Sequence, residues 1–123
     1  MKKIILDTNF LIDLGRFKIS IDEIGKVLPE NYEMQIVAPS VEELKKIATT
    51  NAEESKFAKY ALMLIDLRKM KILETKESAD NATLSIVDKD TIVATNDVEL
   101  RKKLKTEGIR CIYVRAKKKL EIG

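Results

Sequence analysis

Residues 91–104 read TIVATNDVELRKKL. The apolar run Thr91 to Ala94 is strand-length and rich in β-branched residues. Its hydrophobicity is continuous rather than alternating, as in a strand buried on both faces of a parallel sheet. Thr95, Asn96 and Asp97 then form a polar turn, and Val98 to Glu107 carries a helical pattern closed by Gly108 as a C-terminal cap. The stretch is a strand delivering an acid at its carboxyl end, followed by a helix.

Working outward, the same grammar recurs. Strand-length runs occur at Lys3 to Leu6, Met34 to Ala38, Met70 to Leu73 and Arg110 to Val114. Helices fall between them. Ser20 with Glu23 and Ser40 with Glu43 fit a capping box and place helix starts near residues 21 and 41. From Ala52 to Lys69, the apolar residues Phe57, Tyr60, Ala61, Leu64 and Leu67 form one helical stripe, read as core. Ala79 to Val87 supplies a further helix. Alternation through the whole length predicts an α/β fold: a single domain over residues 1–123, three-layer α/β/α, with a central, mostly parallel five-stranded sheet. Right-handed crossovers put all strand C-terminal ends on one edge, and ligands in such sheets bind outside that edge where strand order reverses.

The acids fall on that edge. Asp7 follows KKIIL directly and Asp97 follows TIVAT after Asn96, whereas Glu43 and Asp80 begin the helices after the second and third strands. Each also has a structural reading. Asp7, Asp80 and Asp97 are placed as N-caps, with Thr8, Asn9 and Ser78 available for the same work, and the capping box accounts for Glu43, beside which Glu42 competes for the role. Joint placement of the four favours a site. Asp13, Asp22, Asp66, Asp88 and Asp90 lack the strand-end context and are read as surface or turn residues. Asn9 and Thr95 are the polar partners best placed to orient a carboxylate.

Clustered carboxylates repel unless they are protonated or share a cation. The chain has no His and one Cys, Cys111 in the apolar run RCIYV, so ligands must be oxygens, which favours Mg²⁺ or Mn²⁺. Such an ion lowers the pKa of a coordinated water for in-line attack on phosphorus and offsets charge on the phosphorane, so phosphodiester hydrolysis is the economical chemistry.

Composition agrees without deciding. Lysine plus arginine total 23 against 20 acids, a net charge of +3, and the basic excess gathers in the last quarter. There Lys102, Lys103, Lys117, Lys118 and Lys119 are candidate nucleic-acid contacts, with a solvated face as the ordinary alternative. One cysteine gives no disulfide framework. No signal peptide or ~20-residue apolar span is present, so a cytoplasmic, membrane-free protein is expected.

Four motifs in order, ILDTNFLID (5–13), VEELKKI (41–47), SADNATL (78–84) and IVATNDVELRKKL (92–104), resemble those of the PIN-domain nucleases. That resemblance spans nearly the whole chain. It implies that Asp7, Glu43, Asp80 and Asp97 bind Mg²⁺ or Mn²⁺ and that the substrate is RNA, single-stranded or structured, cut endonucleolytically with a preference for single strands. The chain's ending is similar to PIN nucleases that process small-subunit ribosomal RNA, while the toxin nucleases of toxin–antitoxin pairs share the core and the length. An antitoxin, a ribosome-assembly partner or a homodimer is the corresponding partner. Two other readings remain: a catalytically idle PIN module acting as an RNA-binding assembly factor, and a phosphoacceptor receiver domain with Thr95 and Lys117 in supporting roles.

Overall fold

The computed structural model describes residues 1–123 apart from the side chain of Asp80. In chain order its elements are β1 (Lys2–Leu6), α1 (Thr8–Arg16), a 3-10 turn (Ile21–Glu23), α2 (Ile24–Val27), β2 (Tyr32–Val37), α3 (Ala38–Ala48), α4 (Ser55–Leu67), β3 (Lys71–Leu73), α5 (Ala79–Ile86), β4 (Thr91–Ala94), α6 (Val98–Thr106), β5 (Cys111–Arg115) and β6 (Lys119–Ile122). The sheet order is β3-β2-β1-β4-β5-β6. All pairings are parallel except β5 with β6. Strand order therefore reverses between β1 and β4, and the crevice outside their carboxyl ends is the switch point of the sheet. A receiver domain would order its strands 2-1-3-4-5; this chain does not.

The sheet has six strands, not the five expected. β6 returns beside β5 through a turn in which Lys118 N–H donates to the Arg115 carbonyl at 3.1 Å. Both central residues are left-handed, Ala116 at φ 54° and Lys117 at φ 57°. Such turns are normally announced by Asn or Gly, and Ala-Lys announces nothing. Side chains close the hairpin instead: Tyr113 Oη and Arg115 both donate to Glu121 Oε2 at 2.8 Å. Arg115 and then Tyr113 accordingly hold the Glu121 carboxyl below its ordinary range.

Period-two alternation sorts the strand residues onto two faces. Ile4, Leu6, Ile36, Ile92, Ala94 and Ile112 enter the larger core with Phe10, Leu11, Leu44, Ala58 and Ala61 from α1, α3 and α4. On the opposite face, Val93 and Cys111 pack with Leu100 and Leu104 of α6, and Val37 packs with Ala79 and Ala82 of α5. The central strands are thus covered on both sides, which is why they read as continuous apolar runs. Burial raises the Cys111 thiol to about 11, so it stays protonated at neutral pH and is no thiolate ligand. Among the described residues no helix is long and apolar enough to cross a membrane.

Two helix expectations are corrected. α3 starts at Ala38, with Pro39 in its first turn, so Ser40 is already helical and buried rather than capping. Pro is favoured there because the first helical N–H groups have no partner to lose. In α4 the buried stripe is Ala58, Ala61, Leu64 and Ile65, while Leu67 is 65 % exposed. The other capping reading partly holds: Ser20 Oγ accepts from Asp22 N–H at 3.2 Å, but the helix it opens is a 3-10 turn followed by one short turn.

The C-terminus of α6 closes on Gly108 at φ 75°, with Ile109 N–H bonded to the Leu104 carbonyl and Gly108 N–H to that of Lys105. α4 ends in the same double-bonded cap, but its left-handed residue is Lys69 at φ 50°. A side chain there costs about 1–2 kcal/mol that Gly would avoid, less the greater unfolded-state freedom of Gly. Lys69→Gly is therefore expected to raise unfolding stability by about 1 kcal/mol in a denaturant titration; a loss of stability would contradict this account of the cap.

Candidate active site

Asp7 is the residue at which β1 ends and α1 begins. Its N–H still belongs to the sheet, bonded to the Ala94 carbonyl of β4 at 2.9 Å, which fixes it beside the end of that strand. Among the described residues, donors that orient its carboxylate are Thr8 N–H on Oδ1 at 2.9 Å, and Asn9 Nδ2 at 3.2 Å and Thr95 Oγ1 at 2.8 Å on Oδ2. The N-cap role foreseen for Asp7 is real, but it uses one oxygen, while the other is held from across the sheet.

Thr95 is fully buried, and its hydroxyl also accepts from Asp97 N–H at 3.2 Å. A single hydroxyl thus ties the end of β1 to the turn after β4. Asn96 extends the tie: its N–H donates to Asn9 Oδ1 at 2.9 Å, its side-chain amide donates to Asp13 Oδ2 at 2.8 Å, and its Oδ1 accepts from Val114 N–H at 2.8 Å. Asp97 caps α6, its Oδ1 accepting from Glu99 and Leu100 N–H at 2.9 and 3.2 Å.

Asp7, Glu43 and Asp97 line one open groove of about 350 Å³, together with Thr8, Asn9 and Arg16. Glu42, by contrast, faces a different depression and pairs with Lys45 at 3.5 Å. Glu43 lies in the second turn of α3, so the capping-box account of it falls with that of Ser40. The expectation for Asp80 concerns a side chain outside the described residues. Among the described residues no three carboxylates converge closely enough to enclose an ion by themselves. One further polar atom in the groove wall is notable: Thr8 Oγ1 is buried with no hydrogen-bond partner among the described residues.

Two residues were missed by reading the sequence. Asp13, taken for a surface acid, is half-buried and joins the network through Asn96 and through Arg16 at 2.8 Å. Arg16 is the cation that reaches the acidic groove, held between Asp13 and Glu54, the latter at 3.0 Å. The signal was helical spacing: Asn9, Asp13 and Arg16 recur at four and three residues along α1 and so share a face. The five C-terminal lysines are exposed, on α6 and on the β5–β6 hairpin, and none lines the acidic groove. Lys117 Nζ lies 6.0 Å from the Phe17 ring instead. Asp88 is indeed a turn residue: Lys3, then Thr91, then Asp90 N–H donate to its carboxylate and pull it down to about 2.

Asp7, Glu43 and Asp97 thus line one groove at the switch point of a mostly parallel α/β sheet. Comparison with known proteins gives the family. Residues 4–117 match a PIN like domain. The chain is 38 % identical to ribonuclease VapC4 of Methanocaldococcus jannaschii, across 99 % of this chain and 97 % of the relative. It is 28 % identical to ribonuclease VapC9 of Archaeoglobus fulgidus, across 94 % and 85 %. Its backbone matches the PIN domain endonuclease Utp24 with a TM-score of 0.80 at 23 % identity, covering 98 % of this chain and 90 % of that one, a likeness of fold. The chain belongs to the PIN-domain family.

Proposed function

We propose that the chain is a divalent-metal-dependent endoribonuclease that hydrolyses RNA phosphodiester bonds, with Asp7, Glu43, Asp80 and Asp97 as its catalytic acids and Mg²⁺ or Mn²⁺ as its cofactor. One observation carries this reading: three acids from the beginning, middle and end of the chain line a single groove at the switch point of the sheet. The relatives named ribonucleases support RNA as the substrate.

The donor set fits a hard divalent ion. The groove offers carboxylates and, in its wall, the Thr8 hydroxyl, which has no partner among the described residues, with neither imidazole nor thiolate. Mg²⁺ retains several waters and needs only one or two direct carboxylates, so a closed protein cage is not required. When bound, such an ion supplies a Lewis acid for the phosphoryl oxygens and lowers the pKa of a water it holds. The chain's own contribution is preorganisation. Thr8 N–H, Asn9 and Thr95 fix the plane of the Asp7 carboxylate, and the first turn of α6 fixes Asp97. Arg16, clamped by Asp13 and Glu54, sets a positive charge at the wall where a phosphate would pass.

Within this chemistry the biological setting is RNA processing, including ribosomal RNA maturation, or a toxin-type ribonuclease. The partner is then a ribosome-assembly factor or an antitoxin, and a homodimer is proposed, with Met63 and Leu67 exposed on α4 as its apolar surface. Lys102, Lys103, Lys117, Lys118 and Lys119 are proposed as outer phosphate contacts. The test is cleavage of mixed single-stranded and structured RNA with Mn²⁺, Mg²⁺ or EDTA. Activity should require the ion, Glu43→Gln should depress it strongly, and Glu42→Gln should leave it near the parent. RNA binding without cleavage under any divalent ion would instead identify an idle binding module.

A further inference from the structure

A second groove, of about 570 Å³, opens between α1 and α4, and the chemistry above does not use it. Leu14, Gly15, Lys18, Lys56, Phe57 and Tyr60 line it. Helix α1 forms a wall of both grooves: Ile12 and Arg16 belong to the acidic one, and Leu14, Gly15 and Lys18 to this one. Gly15 is the reason two aromatic rings can lie against the helix. A Cβ there would stand 3.1 Å from Phe57 Cδ1 and 3.2 Å from Tyr60 Cδ2, tighter than ordinary contact, so a side chain at this position would require both rings to give by a few tenths of an ångström.

Cations lie over the Phe57 ring. Lys56 Nζ lies 5.1 Å from the Phe57 centroid and the Arg16 guanidinium 5.8 Å from it, Arg16 thereby linking the two grooves. Among the described residues no Asp or Glu lines this groove, in contrast to its neighbour with Asp7, Glu43, Glu54 and Asp97. Two half-buried aromatics with lysines and without carboxylates are complementary to an unpaired base carrying its phosphates: every base has a π-face that can stack on a ring, and the ammonium groups attract the backbone.

We infer that this groove holds a nucleotide of single-stranded RNA beside the one cleaved, its base stacked against Phe57 and Tyr60 and its phosphate drawn by Lys18 and Lys56. The inference rests on the ribonuclease reading and gives the expected preference for single strands a place in the structure. A base inside a duplex is stacked on its neighbours and offers no free face, so the groove favours unpaired strands over helices.

The probe is a short single-stranded RNA carrying one 2-aminopurine, whose fluorescence is quenched on stacking. It is titrated in EDTA, where the strand stays intact, and cleavage is then followed with Mn²⁺. The double variant Phe57→Leu, Tyr60→Leu should lose the quenching and raise Kd and KM about tenfold or more while kcat stays within about twofold. Lys56→Glu, at an exposed position and with both aromatic residues retained, should raise both constants as well and keeps the test valid if the double variant does not fold. Unchanged quenching, Kd and KM in Lys56→Glu and in any folded double variant, with the parent cleaving normally, would overturn the inference, and is the result expected if an apolar protein segment occupies the groove. If the parent cleaves nothing, the ribonuclease reading fails, and the EDTA titration still reports on the groove: variant-sensitive quenching upholds it and variant-insensitive quenching, or none, removes it.

Discussion

Asp7→Asn lowers the rate of RNA cleavage about 10³-fold or more while changing folding stability by no more than about 1 kcal/mol. The two halves of this result have separate causes. Asparagine caps a helix as well as aspartate does, so its carbonyl oxygen continues to accept from Thr8 N–H. The cost is at the other oxygen, which becomes an NH₂ facing both Asn9 Nδ2 and Thr95 Oγ1: the bond from Asn9 is lost, while the Thr95 hydroxyl can turn to donate to Asn9 Oδ1, 3.4 Å away, and accept from the new amide. Removing a carboxylate from a groove shared with Glu43 and Asp97 relieves repulsion and offsets part of that loss. Chemistry has no such compensation: an amide carries no charge for a divalent ion, and three decades in rate correspond to about 4 kcal/mol of lost transition-state stabilisation. Single-turnover cleavage and denaturant unfolding measure the two halves, with Asp66→Asn, at an exposed position on α4, as the control. Activity within tenfold of the parent would remove Asp7 from the site.

How far this was legible beforehand depends on which forces act locally. The buried parallel strands announce themselves because two covered faces demand continuous apolar residues, and Asp7 and Asp97 are placed by the simple fact that each follows such a run. Glu43 was harder. Ser-x-x-Glu is a local signal, and it lost to another: Pro39 fits the first turn and moved the start of α3 upstream, so that Ser40 became a buried helical residue. β6 was invisible for the opposite reason, since its turn adopts two left-handed residues without the glycine or asparagine that would reveal them. Asp13 and Arg16 were missed because attention to strand ends ignored what the first helix brings alongside them. Their partners, Asn96 and Glu54, lie 83 and 38 positions away in the chain, and no local pattern reports a contact of that kind.

Thr95→Val should cut cleavage about 10- to 100-fold and cost about 1–3 kcal/mol of stability, though the residue touches neither solvent nor, in the proposed chemistry, substrate. Valine fills the same volume, so packing is conserved and the effect isolates one hydroxyl. That hydroxyl has one hydrogen and two carbonyl-type neighbours, Asp7 Oδ2 at 2.8 Å and Asn9 Oδ1 at 3.4 Å; the shorter contact, to a charged acceptor, takes it. Its lone pairs serve Asp97 N–H at 3.2 Å. Substitution therefore strips a donor from Asp7 and an acceptor from the backbone at Asp97 in one step, loosening both strand-end acids relative to each other. Thr95 is a positioning residue, and a purely structural role would show a different pattern. Thr95→Ser, which restores the hydroxyl but leaves a small cavity, should recover most of the activity while retaining a stability deficit. If serine and valine are equally impaired in cleavage, the hydroxyl does not hold the acids; if valine loses stability but cleaves normally, the bond between Thr95 and Asp7 supports the fold alone.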